Sequence, residues 1–155
     1  MTPFYDAQLS EENRRLFNEV RRLVTALPDL DLGTTPPGSL SRELYGNGRV
    51  VLSCHMLARA LAKILKLKCV DGHYAKAYAH SWLLTPDGDW IIDAYPVGMI
   101  GGPVLVQRRY NYRSGPGNLL YVPGRNICKV LPFGSPEFRR AVCLLTEELR
   151  KLAVT

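Results

Sequence analysis

Apolar side chains recur at helical spacing near both ends of the chain. In residues 10–27 they fall three or four positions apart and charged residues occupy the remaining positions. This pattern predicts an amphipathic helix that Ser10 caps and Pro28 ends. A similar pattern predicts a last helix that begins at the Ser135-Pro136-Glu137 sequence and runs to about Ala153, with serine as the N-cap and proline as the first helical residue.

A third helical pattern, in residues 51–67, is apolar around most of its circumference. We therefore expect a buried central helix there. The glycines and prolines of residues 29–38 indicate a loop, and a short helical turn is expected in residues 39–45.

Short runs rich in β-branched and aromatic residues fill the region between the central and last helices. They predict strands at residues 68–75, 77–84, 89–96, 104–110 and 119–122. Turn residues around Pro86-Asp87-Gly88 join the second and third of these strands into a hairpin. Helices followed by a meandering antiparallel sheet and a final helix predict an α+β fold. Because we find no repeat or low-complexity tract, we expect residues 1–155 to form a single domain.

Composition narrows the class of protein. The 155 residues are 46% hydrophobic and 22% charged, as in ordinary globular domains. A chain of this length buries roughly 68–70% of its unfolded surface, so its four cysteines are not needed as disulfide staples. The sequence contains neither an apolar run of ~20 residues nor a signal-like start, and we expect a cytoplasmic protein. A net charge of +6 favours acidic partners or nucleic acid.

Cys54 lies at the start of the predicted central helix. A helix N-terminus offers unpaired N–H groups and the positive end of the helix dipole, and both favour a thiolate. This position suits a nucleophile, although an apolar helix also accommodates cysteine as a core residue. The other thiols, at Cys69, Cys128 and Cys143, lie in apolar sequence and are expected to be reduced core residues.

His80 and Asp93 interrupt two otherwise apolar strands of the predicted hairpin. A turn of two or four residues would place His80 opposite Tyr95 and Trp82 opposite Asp93. His80 and Asp93 would then be diagonal neighbours on one face of the sheet, roughly 7–8 Å apart between backbones. A three-residue turn would put them on opposite faces. The alternative to a catalytic role is a histidine–aspartate pair that only links two strands.

Together these residues form a candidate catalytic triad. Cys54 would attack an acyl carbon, His80 would carry the proton, and Asp93 would orient the imidazole. The backbone N–H of Cys54 would stabilise the oxyanion, and Asn47 is the candidate side-chain donor nearby.

The sequences SCHMLARALAKILKLKCVDGHY, HSWLL and WIIDAYP resemble the core of the transglutaminase-like cysteine proteinases, a branch of the papain-like superfamily. The matching positions are Cys54, His80 with Trp82, and Trp90 with Asp93, within about residues 46–96. The resemblance implies a buried helix that begins at the cysteine and packs on a small antiparallel sheet between N- and C-terminal helices. It further implies a thiol protease or amidase that needs no cofactor and acts on a peptide or protein substrate, which the basic charge suggests is acidic. Trp82 would contact the substrate. Transglutaminases, deamidases and acyltransferases of this type use the same triad.

Zinc binding is an alternative for part of this set. Cys69 and His73 have a spacing found in zinc sites, but no C-x-x-C or H-x-x-x-H pair accompanies them. Cys54 and His55 are adjacent and poorly placed to share one tetrahedral ion. We therefore predict no metal, and we expect His55 to point away from the thiol along the helix.

A noncatalytic alternative is a nucleic-acid-binding module. The segment at residues 107–117, QRRYNYRSGPG, interleaves arginines that could bind phosphate with tyrosines that could stack on bases. Solvated arginines at a strand end would give the same pattern. The residues concerned are Arg108, Arg109, Tyr110, Tyr112 and Arg113.

Overall fold

The computed structural model describes residues 9–27, 39–41, 51–75, 78–95, 102–112, 120–124 and 136–154. The predicted loop at 29–38, together with Asn47, Arg113 and Cys128, lies outside the described residues. The helices are α1 (Glu11–Ala26), α2 (Cys54–Leu65), α3 (Arg108–Asn111) and α4 (Pro136–Ala153). The strands are β1 (Ser39–Ser41), β2 (Val51–Ser53), β3 (Lys68–Tyr74), β4 (Tyr78–Leu84), β5 (Trp90–Asp93), β6 (Val104–Gln107) and β7 (Tyr121–Pro123).

The described strands form a five-stranded antiparallel sheet in the order β6-β5-β4-β3-β7 and a small sheet of β1 and β2. The predicted α+β class is confirmed. Within the described residues, no helix is long and apolar enough to cross a membrane.

Helix α1 begins where the pattern predicts. The Ser10 hydroxyl accepts a hydrogen bond from the backbone N–H of Asn13 at 3.1 Å and so satisfies one of the free donors of the first turn. The helix ends at Ala26, with Leu27 in an extended conformation directly before Pro28. The last helix, α4, also begins at its predicted proline.

Three stretches adopt a structure that differs from the one predicted for them. Residues 39–41 were expected to be helical but pair with residues 51–53, which were expected to begin the central helix. Ser53 caps that helix by accepting a hydrogen bond from the His55 N–H, so α2 begins only at Cys54. The strand expected at 104–110 ends at Gln107, because its partner β5 begins at Trp90, opposite Gln107.

The register of the β4–β5 hairpin is the one predicted for a turn of two or four residues, and the alternative of a three-residue turn is wrong. Leu83 pairs with Ile92 and Leu84 with Ile91, and Thr85 donates a backbone hydrogen bond to Trp90. The turn therefore contains the four residues 86–89 and preserves the predicted parity. Gly88 adopts a φ of 78°, a left-handed conformation that glycine tolerates.

The sheet is apolar on both faces. One face packs against α1, α2 and α4 and includes Leu83 and Ile92. The other face carries a smaller cluster around Trp82 and Ile91. In that cluster β7 approaches β3 closely at Gly72, where an added Cβ would lie 2.1 Å from a backbone oxygen of β7 and 2.8 Å from the Trp82 ring.

The prediction that all remaining cysteines are core residues is wrong for Cys143, which is exposed. Helix α4 buries Phe138, Ala141, Leu145 and Leu149, and Cys143 lies on the opposite side of the helix. Cys69, in β3, is only half-buried.

Candidate active site

Cys54 is the first residue of α2 and its side chain is buried, with 5% of the residue exposed. The strand β2 leads directly into the helix, and the Ser53 hydroxyl holds the first turn through the N–H of His55. The thiol therefore lies at the positive end of a capped helix. This position confirms the predicted placement of Cys54 at the helix N-terminus.

His80 and Asp93 meet inside the protein. Nε2 of His80 lies 2.8 Å from Oδ2 of Asp93, and neither side chain is exposed to solvent. The second carboxylate oxygen, Oδ1, accepts a hydrogen bond from the backbone N–H of Tyr95 at 3.3 Å. The structure thus joins the two residues that were predicted to share a face if the turn had two or four residues.

Tyr121 is a third member of this cluster and is not among the site residues predicted from the sequence. Its hydroxyl donates a hydrogen bond to Oδ2 of Asp93 at 2.7 Å. Burial and the neighbouring Asp93 carboxylate raise the pKa of the Tyr121 hydroxyl, so that hydroxyl keeps its proton. Local sequence carries no signal for this contact, because Tyr121 lies on β7 and reaches Asp93 only through the folding of the sheet.

The pKa values of Cys54 and His80 shift in opposite directions. Burial alone would raise the pKa of the Cys54 thiol, but the neighbouring imidazoles of His55 and His80 outweigh it and lower the pKa to about 6. Burial would lower the pKa of His80, but the hydrogen bond to Asp93 and the adjacent thiol raise it to about 10. Between these values the favoured state is a thiolate beside an imidazolium, which is the reactive form of a cysteine nucleophile.

Asp93 contacts only one of the two ring nitrogens of His80. Nε2 is bonded to Asp93, whereas Nδ1 is buried and has no hydrogen-bond partner among the described residues. Nδ1 is therefore the ring nitrogen left for the thiol. An imidazole held at one nitrogen and facing a thiol with the other is arranged to move a proton.

His55 does not point away from the thiol, contrary to the prediction. Its side chain is fully buried, and its proximity lowers the pKa of the Cys54 thiol. Its Nδ1 lies 2.7 Å from the Ser81 hydroxyl of β4. Because His55 lies in the first turn of α2, where the helix meets β4, its ring extends toward the sheet.

Trp82 is fully buried and packs behind His80, with 6.1 Å between the ring centroids. Its indole N–H donates to the hydroxyl of Tyr112. Its proposed role in substrate binding stays a prediction. Among the described residues, no group of three or more histidines, cysteines and acidic residues is arranged to hold a metal ion.

Within the arginine- and tyrosine-rich segment, residues 108–111 form the short helix α3 rather than an extended strand. The Arg108 guanidinium lies over the ring of Tyr112 at 5.8 Å, and that of Arg109 lies over Tyr110 at 5.5 Å. Two of the tyrosines that the nucleic-acid hypothesis would use for base stacking are therefore already in contact with arginines of the same segment. A cavity of about 690 Å³ is lined by Arg108, Arg109 and Tyr112. It lies near Trp90 at the start of β5, whereas Asp93 is at the end of that strand.

Comparisons of the chain with models of known families, with curated proteins and with solved structures found no match.

Proposed function

We propose that this protein is a cysteine-dependent hydrolase that cleaves a peptide or amide bond through Cys54, His80 and Asp93. The observation that carries the proposal is the buried 2.8 Å contact between His80 and Asp93, next to a thiol at the N-terminus of a helix. A histidine–aspartate pair that only linked two strands would not require a cysteine at its free nitrogen. The shifts in the pKa values of Cys54 and His80 support the same conclusion.

In the proposed acylation step, the Cys54 thiolate attacks the carbonyl carbon of the scissile bond and forms a carbon–sulfur bond. The carbonyl electron pair moves onto oxygen, and the backbone N–H of Cys54 at the helix start is a candidate donor to that oxyanion. As the intermediate collapses, the carbon–nitrogen bond breaks and His80 transfers its proton to the departing amine. The enzyme is left as a thioester with a neutral His80.

In the deacylation step, water attacks the thioester carbon and neutral His80 takes a proton from that water. The carbon–sulfur bond breaks, the carboxylic acid product leaves, and the thiolate–imidazolium pair is restored. Asp93 holds the imidazole orientation throughout, because its hydrogen bond to Nε2 leaves Nδ1 directed to the reacting atoms. An amine in place of water would give acyl transfer, the transglutaminase-type alternative.

The proposal also covers the family to which the chain belongs. A helix that begins at the nucleophile and packs on an antiparallel sheet bearing the histidine and aspartate supports the resemblance to transglutaminase-like cysteine proteinases of the papain-like superfamily. We further propose a cytoplasmic protein with a peptide or protein substrate. The unpaired thiols of Cys54 and Cys143 support the former, and the net charge of +6 favours an acidic substrate.

The first test is selective alkylation. Iodoacetamide should label Cys54 of the folded full-length chain faster at neutral pH than it labels the exposed Cys143, despite the greater accessibility of Cys143. His80→Gln should remove most of this advantage. Labelling of Cys54 only after denaturation would contradict the proposal.

The second test separates the reaction classes. The full chain is incubated with a peptide mixture of known sequence, with and without a primary amine, and the products are identified by mass spectrometry. We expect peptide bond cleavage by the wild type and by Cys143→Ser, and none by Cys54→Ser. Conversion of glutamine to glutamate would identify a deamidase, and incorporation of the amine would identify a transglutaminase. Either result would replace the proposed peptide hydrolysis with the alternative activity of the same triad. Products that persist in Cys54→Ser would refute the assigned nucleophile.

A further inference from the structure

A cavity of about 460 Å³ lies between α2, β3 and α4, and its lining residues include none of the proposed triad. Its volume is within the range of ~300–1,000 Å³ that is typical of small-molecule sites. Much of its wall is apolar. Ala62 comes from α2, Cys69 from β3, and Phe138 and Val142 from α4. Phe138 and Val142 are buried members of the hydrophobic core, so the cavity extends from the surface to the core.

The charged groups that line this cavity are cations. Lys63 of α2 and Arg139 of α4 are both exposed, which places their charged ends where the cavity opens to solvent. No ion pair between described residues involves either of them. Among the described residues, no aspartate or glutamate lines the cavity. Two positive charges at its mouth are therefore available to an anion from solution.

Arg59, a third cation of the lining, helps to fix the shape of the cavity. Its guanidinium lies 2.7 Å from Oδ2 of Asp71 on β3 and 5.7 Å from the ring centroid of Phe138 on α4. This side chain of α2 thus contacts both of the other elements that enclose the cavity. Because the wall is already held in place, a ligand would order few side chains on binding, and this favours affinity.

An apolar cavity with cations at its mouth is complementary to a molecule that has an apolar chain and an anionic head. The hydrophobic effect favours burial of the chain, and lysine and arginine form charge-assisted hydrogen bonds with carboxylate and phosphate oxygens. The two cavities that Arg108 lines are less suited to an anion. Each has an aspartate in its lining, Asp89 in one and Asp71 in the other.

We propose that the cavity between α2, β3 and α4 binds a small amphipathic anion, a carboxylate or phosphate group on a short apolar chain. The anionic head contacts Lys63 and Arg139, and the chain lies against Phe138 and Val142. This binding site does not depend on the proposed hydrolase activity, because no residue of the triad lines it.

The test uses Cys143 as a reporter, because this exposed thiol lines the same cavity. The rate of iodoacetamide labelling at Cys143 is measured by mass spectrometry on the folded full-length chain at increasing ligand concentration. Octanoate and octyl phosphate carry the two anionic heads on the same chain, 1-octanol lacks the charge, and acetate lacks the chain. Isothermal titration calorimetry measures the same affinities without the reporter.

We expect octanoate or octyl phosphate to slow the labelling of Cys143 in a saturable manner, and the tighter of the two identifies the head group. Octanol and acetate should bind at least about tenfold more weakly, because each lacks one half of the interaction. Lys63→Gln combined with Arg139→Gln should weaken binding of the anion about tenfold.

The matched control is Arg140→Gln combined with Arg150→Gln, which also removes two exposed cations but none from the lining of the cavity. These two substitutions should leave the affinity unchanged, and so should Cys54→Ser. Near-UV circular dichroism establishes that each variant is folded.

Failure of both anions to protect Cys143 or to give a calorimetric signal would overturn this inference. Binding of octanol as tight as that of the anions would overturn it as well, because the cavity would then recognise only the chain. Equal loss of affinity in the control pair would show that net charge, rather than Lys63 and Arg139, attracts the anion. These outcomes leave the assignment of Cys54 as the nucleophile unaffected, because Cys54 labelling is measured without ligand.

Discussion

The charge of Asp93 should determine the pH at which the Cys54 thiol becomes reactive. Asp93→Asn keeps the size of the side chain and removes its charge. With 2.8 Å between Nε2 of His80 and the carboxylate oxygen, two unit charges interact by about 6 kcal/mol at an effective dielectric constant of ~20, or about four pKa units. This interaction energy is large enough to outweigh the cost of burying the charged imidazole and to raise the pKa of His80 to about 10.

Without that charge, burial remains and should hold the pKa of His80 at or below its ordinary 6.5. The imidazole is then neutral at pH 7, and the thiol loses its main cationic partner. The Cys54 thiol, with a pKa of about 6, is about 90% ionised at pH 7, against ~3% for an ordinary cysteine. We therefore expect Asp93→Asn to lower the rate of Cys54 labelling at pH 7 by up to about thirtyfold.

The assay is the pH profile of iodoacetamide labelling, with Cys143 as an internal reference thiol. Labelling of the wild type should fall as the pH drops through about 6, where the thiolate takes up a proton. In Asp93→Asn this midpoint should move up toward the ordinary value of about 8.5, because the neutral His80 no longer favours the thiolate. Asp89→Asn, which changes an exposed carboxylate of the same hairpin, is the control and should leave the midpoint unchanged. An Asp93→Asn profile that coincides with the wild type would refute the electrostatic role of Asp93.

Three further outcomes test the surroundings of the site. Tyr121→Phe removes a hydrogen-bond donor to Asp93 and should lower the free energy of unfolding in urea by about 1–3 kcal/mol. An unchanged urea midpoint would contradict a stabilising role of this hydrogen bond. Gly72→Ala should prevent β7 from docking on β3 and strongly lower the melting temperature, whereas Gly124→Ala adds a methyl group in open space and should not. Equal melting temperatures of the two variants would show that β7 does not pack as described. Ser10→Ala removes the N-cap of α1 and should lower the free energy of unfolding by about 1 kcal/mol, measured by thermal denaturation. An unchanged melting temperature would mean that the cap does not stabilise the protein.

Local patterns predicted much of the fold. The positions of α1, β3 and β4 follow from apolar periodicity and from turn residues, and Ser10 is a capping signal within the sequence itself. Patterns failed where partners decide the conformation. The stretch at residues 39–41 is a strand because 51–53 lies beside it, and β6 ends at Gln107, opposite the first residue of β5, where the chain enters α3.

For the candidate site, the sequence by itself determined the residue types and limited His80 and Asp93 to two arrangements, on one face of the sheet or on opposite faces. Side-chain parity in a hairpin depends on the number of residues in its turn, and the four-residue turn of the structure places both residues on one face. Only the tertiary structure decided the environment of the thiol. Tyr121 reaches Asp93 from a distant strand, and Nδ1 of His55 lies 2.7 Å from the hydroxyl of Ser81 on the neighbouring strand. Contacts between residues far apart in the chain depend on how helices and strands pack, and no local pattern of apolar and polar positions records that packing.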